Sequence, residues 1–166
     1  MKLCAYRFAL ALLFLPLWNS SAHAAEVAAD YKCTDRLDPE ALVKGFVQRG
    51  FIQSPAYAEN DSMTYFKSAQ RLTAFGFPLV AVAAFKEDST YFNRAPGTSP
   101  GNRFALVVQA PENQVLSVIH KNGLSIAGFK DMRYPALRIE SFGTEPLPKG
   151  SIKGLPYTQI LCLPKV

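Results

Sequence analysis

The position of two cysteines constrains this chain more than any other feature of its sequence. Cys33 lies near the start and Cys162 near the end of the 166 residues, and Cys4 falls in the N-terminal segment. In an oxidising compartment an isolated even pair is typical of a disulfide, whereas a redox-active pair usually stands close together as C-x-x-C. We therefore expect a Cys33–Cys162 disulfide. It closes a loop of about 130 residues, which stabilises the fold by up to roughly 4–5 kcal/mol in the chain-entropy model.

The N-terminal segment has the three-part layout of a secretory signal peptide. Residues 1–7 carry Lys2 and Arg7, residues 8–18 form an apolar run, and residues 19–24 are small and polar and end in Ala-His-Ala. This order predicts export and cleavage after Ala24. The apolar run is shorter than the about 20 residues that a bilayer-spanning helix needs, although an uncleaved anchor is the alternative. We expect a periplasmic or secreted mature chain of residues 25–166 without a membrane span.

Composition limits what this mature chain can do. With 49% apolar and 19% charged residues, the sequence is typical of a single folded domain. Removing residues 1–24 takes away two basic residues and no acidic one, so the net charge of +5 becomes about +3. The remaining Lys and Arg are scattered, which argues against nucleic-acid binding. One histidine and two cysteines remain, too few for a zinc ribbon or a multi-histidine metal centre, and we expect no metal and no cofactor.

Two segments carry helix signals. In the first, Asp38 can cap the helix, Pro39 fits its first turn and Gly50 can end it. The second begins at Pro111 and ends at Gly123, with an apolar stripe between them. Strands are predicted where aromatic, β-branched or alternating apolar residues recur, at residues 63–67, 70–75, 79–85, 104–108, 137–140 and 158–163.

The order of these elements indicates an α+β fold. Both helices start with Pro and Glu and end at Gly, and each follows a possible strand and precedes at least two more. A duplicated strand-helix-strand-strand unit would explain this similarity between the two halves, and chance resemblance between two ordinary helices would explain it equally well. We expect an antiparallel sheet of about five to six strands with two helices packed on one face.

The sequence contains no motif of a catalytic site that we can identify. His120 is the one histidine after residue 24, and its place near a helix end already explains it. The carboxylates Glu87, Asp88 and Glu140 sit in a turn or on an outward strand position, where each has a structural explanation. We therefore expect no catalytic residues, and a small hydrolase that uses His120 is kept as an alternative.

The most unusual segment is the loop of residues 87–103, between two apolar strands. It is too long for a tight hairpin, and loops of such length in a compact domain are often functional. It carries Tyr91, Phe92, Arg94 and Arg103, and Tyr and Arg are enriched at binding hot spots. The alternative is a stiff surface loop whose aromatic side chains fold back onto the core.

These observations favour a small exported, non-enzymatic domain that binds another protein. A rigid disulfide-linked domain, a protruding loop and no catalytic motif suit an inhibitor or an immunity-type protein that neutralises a toxin or an envelope enzyme. A second class, an accessory or small-ligand-binding module of the cell envelope, would be favoured by a deep apolar pocket between helices and sheet. The hydrolase alternative would need His120 to face a cleft beside Ser, Asp or Glu.

Overall fold

The computed structural model of the chain describes residues 24–28, 31, 33–34, 36–60, 62–93, 101–124, 126, 135–142 and 147–163. Nearly all of the expected signal peptide, residues 1–23, lies outside this range, as does Arg94 of the long loop. Described elements follow in the order β1 (Ala25–Glu26), α1 (Pro39–Gln48), β2 (Ala58–Asn60), β3 (Met63–Ala74), β4 (Phe77–Phe85), β5 (Arg103–Val108), α2 (Glu112–Lys121), β6 (Ala136–Ser141) and β7 (Thr158–Leu163).

The strands form one mixed sheet. Its order is β1-β3-β4-β5-β7-β6, and β2 pairs with the start of β3. All pairs are antiparallel except β1 with β3, where Ala25 and Glu26 run parallel to Leu72 and Thr73. The α+β class with two helices is confirmed. The expected five to six strands and the purely antiparallel sheet were wrong, because the very short strands β1 and β2 join the sheet and β1 joins it in parallel.

The two halves of the chain have a similar order of elements along the sequence, but their strands are arranged differently across the sheet. The first half runs β1-α1-β3-β4 with β2 inserted before β3, and the second runs β5-α2-β6-β7. In the first half the helix joins two adjacent parallel strands. In the second half β7 lies between the two strands that the helix joins. The similarity between the two halves of the sequence therefore corresponds to similar local units that are arranged differently in the sheet.

The local signals at the start and end of α1 act as the sequence predicts. The Oδ1 atom of Asp38 accepts hydrogen bonds from the backbone N–H groups of Glu40 (3.0 Å) and Ala41 (3.2 Å), which satisfies two donors of the first turn. Gly50, just beyond the helix, has a φ of +67°, a conformation that a side chain would strain. These caps fix the helix so that Val43 and Phe46 are buried.

Both helices contact the same face of the sheet. The ring of Phe46 on α1 packs edge-on against Phe104 of β5, with centroids 6.0 Å apart. Glu112 on α2 accepts a 2.7 Å hydrogen bond from the hydroxyl of Ser141 on β6. Phe104 pairs with Cys162, and Cys162 pairs with Leu137, four residues before Ser141. Because side chains alternate along a strand, Phe104 and Ser141 point to the same face, called here the helix face.

The predicted disulfide forms between Cys33 and Cys162, whose Cα atoms are 5.4 Å apart. Cys162 lies within β7, a strand with a partner on each side, so the bond ties the segment before α1 to the interior of the sheet. Tyr31 packs nearby on the same strands. Its buried ring lies 5.6 Å from that of Phe104.

Candidate functional site

Lys86 and the first part of the long loop, residues 87–93, are held at three positions by hydrogen bonds. Lys86 Nζ donates to Asp38 Oδ2 over 2.8 Å, which joins the loop to the start of α1. The backbone N–H of Glu87 donates to the side chain of Asn102 over 3.0 Å. The side-chain amide of Asn93 donates to Glu59 of β2 over 2.7 Å. This part of the loop therefore has a defined position rather than a free path through solvent.

Tyr91 stands on this part of the loop as a partly exposed aromatic side chain. Its ring stacks on Phe66 of β3, with centroids 6.3 Å apart and planes at 16°. The ring of Phe92 meets it edge-on at 5.2 Å. On the α1 side, Lys44 Nζ lies 5.3 Å from the Tyr91 ring centroid, within cation–π range. Tyr91 nevertheless stays 38% exposed, so part of its ring is open to a partner.

Phe92 folds back onto the core. It is 4% exposed and packs against Phe85 of β4, with centroids 6.5 Å apart. Phe92 thus contacts Tyr91 from a buried position, and a partner could touch Phe92 only if its side chain left the core. Phe92 therefore folds back onto the core, as the alternative for this loop expects, whereas Tyr91 keeps part of its ring exposed.

Arg103 lies on the other side of the sheet from Tyr91. Phe66, which carries the Tyr91 ring, pairs through Val82 with Leu106 on β5. Leu106 is two residues from Phe104 and therefore points to the helix face. Arg103 directly precedes Phe104 on the same strand and therefore points to the opposite face. Tyr91 and Arg103 are thus not brought together into one surface.

Two ion pairs lie at the α1 side of this region, Glu40 with Lys44, which is next to the Tyr91 ring, and Asp38 with Lys86. Glu40 Oε1 pairs with Lys44 Nζ at 2.5 Å, and hydrogen bonds from Lys44 and Ser89 lower the pKa of Glu40. Partial burial alone would raise the pKa of Asp38, but the Lys86 ammonium and backbone N–H donors outweigh it and lower that pKa. The hydrogen bond to Asp38 likewise raises the pKa of Lys86. Asp38, Glu40 and Lys86 are therefore held in their charged forms near neutral pH.

A polar cleft of about 190 Å³ lies on the face opposite to the helices. Its polar lining comes from Asn60, Tyr65, Arg103, Arg138, Glu140 and Gln159, beside Met63 and Leu161. Arg138 and Glu140 form an ion pair, and their side chains are 19% and 33% exposed. The sequence singled out Arg103 but gave no sign of the cleft, because its residues come from separate strands and meet only through the register of the sheet.

The loop of residues 147–157 presents a second exposed region. Ile152 is 59% exposed and Leu155 is 38% exposed. The loop is fixed beneath them, because the hydroxyl of Tyr157 hydrogen-bonds both the N–H and the carbonyl of Ile152. Lys67 Nζ donates to the carbonyl of Lys149 over 2.8 Å.

His120 lies exposed in the last turn of α2, as its position in the sequence indicates. Among the described residues there is no group of three or more His, Cys, Asp or Glu side chains that could hold a metal ion. Neither helix in the described part of the chain has the length and apolar character needed to cross a membrane.

Comparison of the chain with protein-family models, with curated proteins and with solved structures finds no match. Function is therefore inferred from contacts within the chain itself.

Proposed function

We propose that this chain is an exported, non-enzymatic protein-binding domain, an inhibitor or immunity-type protein that neutralises another protein such as a toxin or an envelope enzyme. The observation that carries the proposal is the setting of Tyr91, which is 38% exposed yet packed on Phe66 and Phe92. Tyrosine at a fixed position is a frequent anchor of protein interfaces, because it loses little conformational entropy on binding.

Lys44 adds a second anchor beside the ring. It lies 5.3 Å from the Tyr91 centroid and is also paired with Glu40, so its position is set before a partner arrives. A ring flanked by a cation suits a partner that offers an apolar pocket with acidic groups at its edge. The disulfide between Cys33 and Cys162 supports the same proposal in a different way, because structural disulfides persist in oxidising compartments.

The test is affinity measurement on a partner captured with the exported protein from envelope extracts and from the secretions of competing cells. Tyr91→Ala should weaken binding by roughly 1–3 kcal/mol, the hot-spot range, and Lys44→Ala should weaken it by less. Ile152→Ala is the matched control, since it truncates an exposed apolar side chain on another loop. His120→Ala should leave binding unchanged. Unchanged binding by a folded Tyr91→Ala variant would contradict the proposal.

Export is tested separately by the intact mass of the protein recovered outside the cytoplasm. We expect a mass that corresponds to residues 25–166, because the charge, apolar run and Ala-His-Ala order predict cleavage after Ala24. A mass that includes residues 1–24 would contradict cleavage.

A further inference from the structure

The register of three neighbouring strands assembles the polar cleft. Arg138 pairs with Leu161, which pairs with Ala105, two residues after Arg103. Glu140 pairs with Gln159 two positions further along the same strands. Because side chains two residues apart share a face, both guanidinium groups, the carboxylate and the amide are on one side of the sheet. All four line the same cavity of about 190 Å³.

The chemistry of this lining is mixed. Two guanidinium groups carry planar forks of N–H donors that match a carboxylate, and the fork of Arg138 already pairs with Glu140 at the edge of the cleft, so a ligand carboxylate would share these donors. Glu140 and the Oε1 atom of Gln159 offer acceptors. Gln159 is 6% exposed, and its Oε1 atom accepts no hydrogen bond within the described part of the chain. A buried acceptor without a donor costs free energy that a bound donor would recover.

We propose that the polar cleft binds a small molecule that carries both a carboxylate and a hydrogen-bond donor, of which an α-amino acid is the simplest. The carboxylate bonds to the guanidinium groups of Arg103 and Arg138. The donor, an ammonium or a hydroxyl, bonds to the carboxylate of Glu140 and the amide oxygen of Gln159.

Charge and size narrow the ligand class. Two arginines and one glutamate give the lining a net charge of +1, which one carboxylate neutralises, and the Glu140 carboxylate repels a phosphate dianion more strongly than it repels a singly charged carboxylate. The volume is below the roughly 300 Å³ at which pockets for drug-sized ligands begin. The cleft therefore fits a compact metabolite or the last residue of a peptide. This site is independent of the Tyr91 site, which lies on the helix face.

The experiment is an NMR titration of the ¹⁵N-labelled exported protein, in which the side-chain amide of Gln159 reports on the cleft. The probes are glycine, L-alanine, D-alanine, lactate, acetate, N-acetyl-alanine, alanyl-alanine and inorganic phosphate. We expect saturable shifts at Gln159 with the amino acids and lactate, and weaker shifts with acetate, N-acetyl-alanine and phosphate, which do not supply an ammonium or hydroxyl donor beside a singly charged carboxylate. Tighter binding of alanyl-alanine than of alanine would identify a peptide terminus as the source of the carboxylate, and the reverse would identify a free amino acid.

Variants test the role of each side chain. Arg138→Gln should weaken binding about tenfold or more, as the loss of a charge-assisted hydrogen bond predicts, whereas Arg71→Gln removes the same charge from an exposed position on β3 and should change nothing. Arg103→Lys keeps the charge but loses the fork, and should also weaken binding. Glu140→Gln should weaken binding of alanine more than that of lactate. If an arginine variant does not fold, the Glu140→Gln comparison alone decides.

The proposal is overturned by either of two results. One is the absence of saturable shifts at Gln159 with all carboxylate probes. The other is phosphate or acetate binding as tightly as the amino acids, because the acceptors of the cleft would then have no role.

Discussion

The hydroxyl of Tyr31 donates a hydrogen bond of 2.9 Å to the main-chain carbonyl of Ile160 on β7. The same oxygen lies 3.4 Å from the carbonyl of Phe104 on β5. Tyr31 therefore joins the segment before α1 to two paired strands, two residues before Cys33, which is bonded to β7. A hydrogen bond and a disulfide thus tie one short segment to the middle of the sheet.

Tyr31→Phe should destabilise the protein by about 1 kcal/mol, because it removes a buried hydrogen bond and keeps the packed ring. Tyr31→Ala should cost roughly 3–5 kcal/mol, since it also removes the ring from its contact with Phe104. Urea unfolding measures both. Tyr91→Phe is the control and should stay within about 0.5 kcal/mol of the wild type, since its ring is partly exposed. Equal losses for the two Phe variants would contradict the role of the Tyr31 bond.

Alkaline pH should destabilise the protein through the same residue. Burial raises the pKa of the Tyr31 hydroxyl well above its ordinary value of 10.0, so the fold favours the neutral form. This contribution is fully present below pH 10.0 and is lost as pH rises beyond it, because the unfolded state ionises first. The free energy of unfolding, measured at a series of pH values, should fall more steeply for the wild type than for Tyr31→Phe. Parallel curves would exclude Tyr31 as the cause.

Replacing both Cys33 and Cys162 by Ala should lower the free energy of unfolding by about 2–5 kcal/mol. The reason is that the disulfide closes most of the chain and so restricts the unfolded state. Adding a reductant to the wild type should produce a similar loss and should leave the double variant unchanged. A wild type whose unfolding midpoint ignores the reductant would contradict the prediction.

Asp38 acts both as a helix cap and as the ion-pair partner of Lys86, and two variants separate these roles. Asp38→Asn keeps a capping oxygen but loses the charge, and should cost less than about 1 kcal/mol because the pair is partly exposed. Asp38→Ala loses the cap as well and should cost about 1 kcal/mol more.

The pH dependence of the Asp38→Asn variant has a defined sign. Because the pKa of Asp38 is lowered in the fold, its charge stabilises the protein above the ordinary pKa of 3.8, and this is lost as pH falls through the lower folded value. The difference between wild type and Asp38→Asn should therefore shrink below pH 3.8. A difference that persists unchanged there would assign the effect to something other than the ion pair.

Phe92→Ala should cost roughly 3–5 kcal/mol, as expected for a large side chain removed from a core. Tyr91→Ala should cost no more than about 1.5 kcal/mol, the value of its aromatic contacts. Thermal or urea unfolding of the two variants compares them directly. Similar losses would mean that Tyr91 belongs to the core rather than to an exposed site.

Local signals made much of this fold predictable. The bounds of β7, the capped start of α1 and the glycine after it follow from short patterns that the structure reproduces. Two strands were expected at residues 63–67 and 70–75, but β3 is one strand with a register shift between Lys67 and Leu72. The polar residues within that shift interrupt the apolar pattern without ending the strand.

Long-range pairing was the part that the sequence could not reveal. No strand was predicted at β2, because Ala-Glu-Asn has neither β-branched nor alternating apolar residues, and its structure depends on its pairing with β3. The two residues of β1 carry even less local information. The candidate sites show the same division. Loop length and residue type pointed to Tyr91 and to Phe92 alike, and only the structure shows that Phe92 is buried. The polar cleft depends on register across β5, β7 and β6.

The place of β7 in the sheet also sets an order of events during biosynthesis. β3, β4 and β5 pair with neighbours in sequence and can form as soon as they are made. β6 can pair with β7 only after residues 158–163 have been made. β7 also carries Cys162, which forms the disulfide with Cys33. If the chain is exported as proposed, closure of the sheet and oxidation of the thiols would coincide at the end of translocation. Transit of an unfolded chain and the late completion of its fold are therefore compatible.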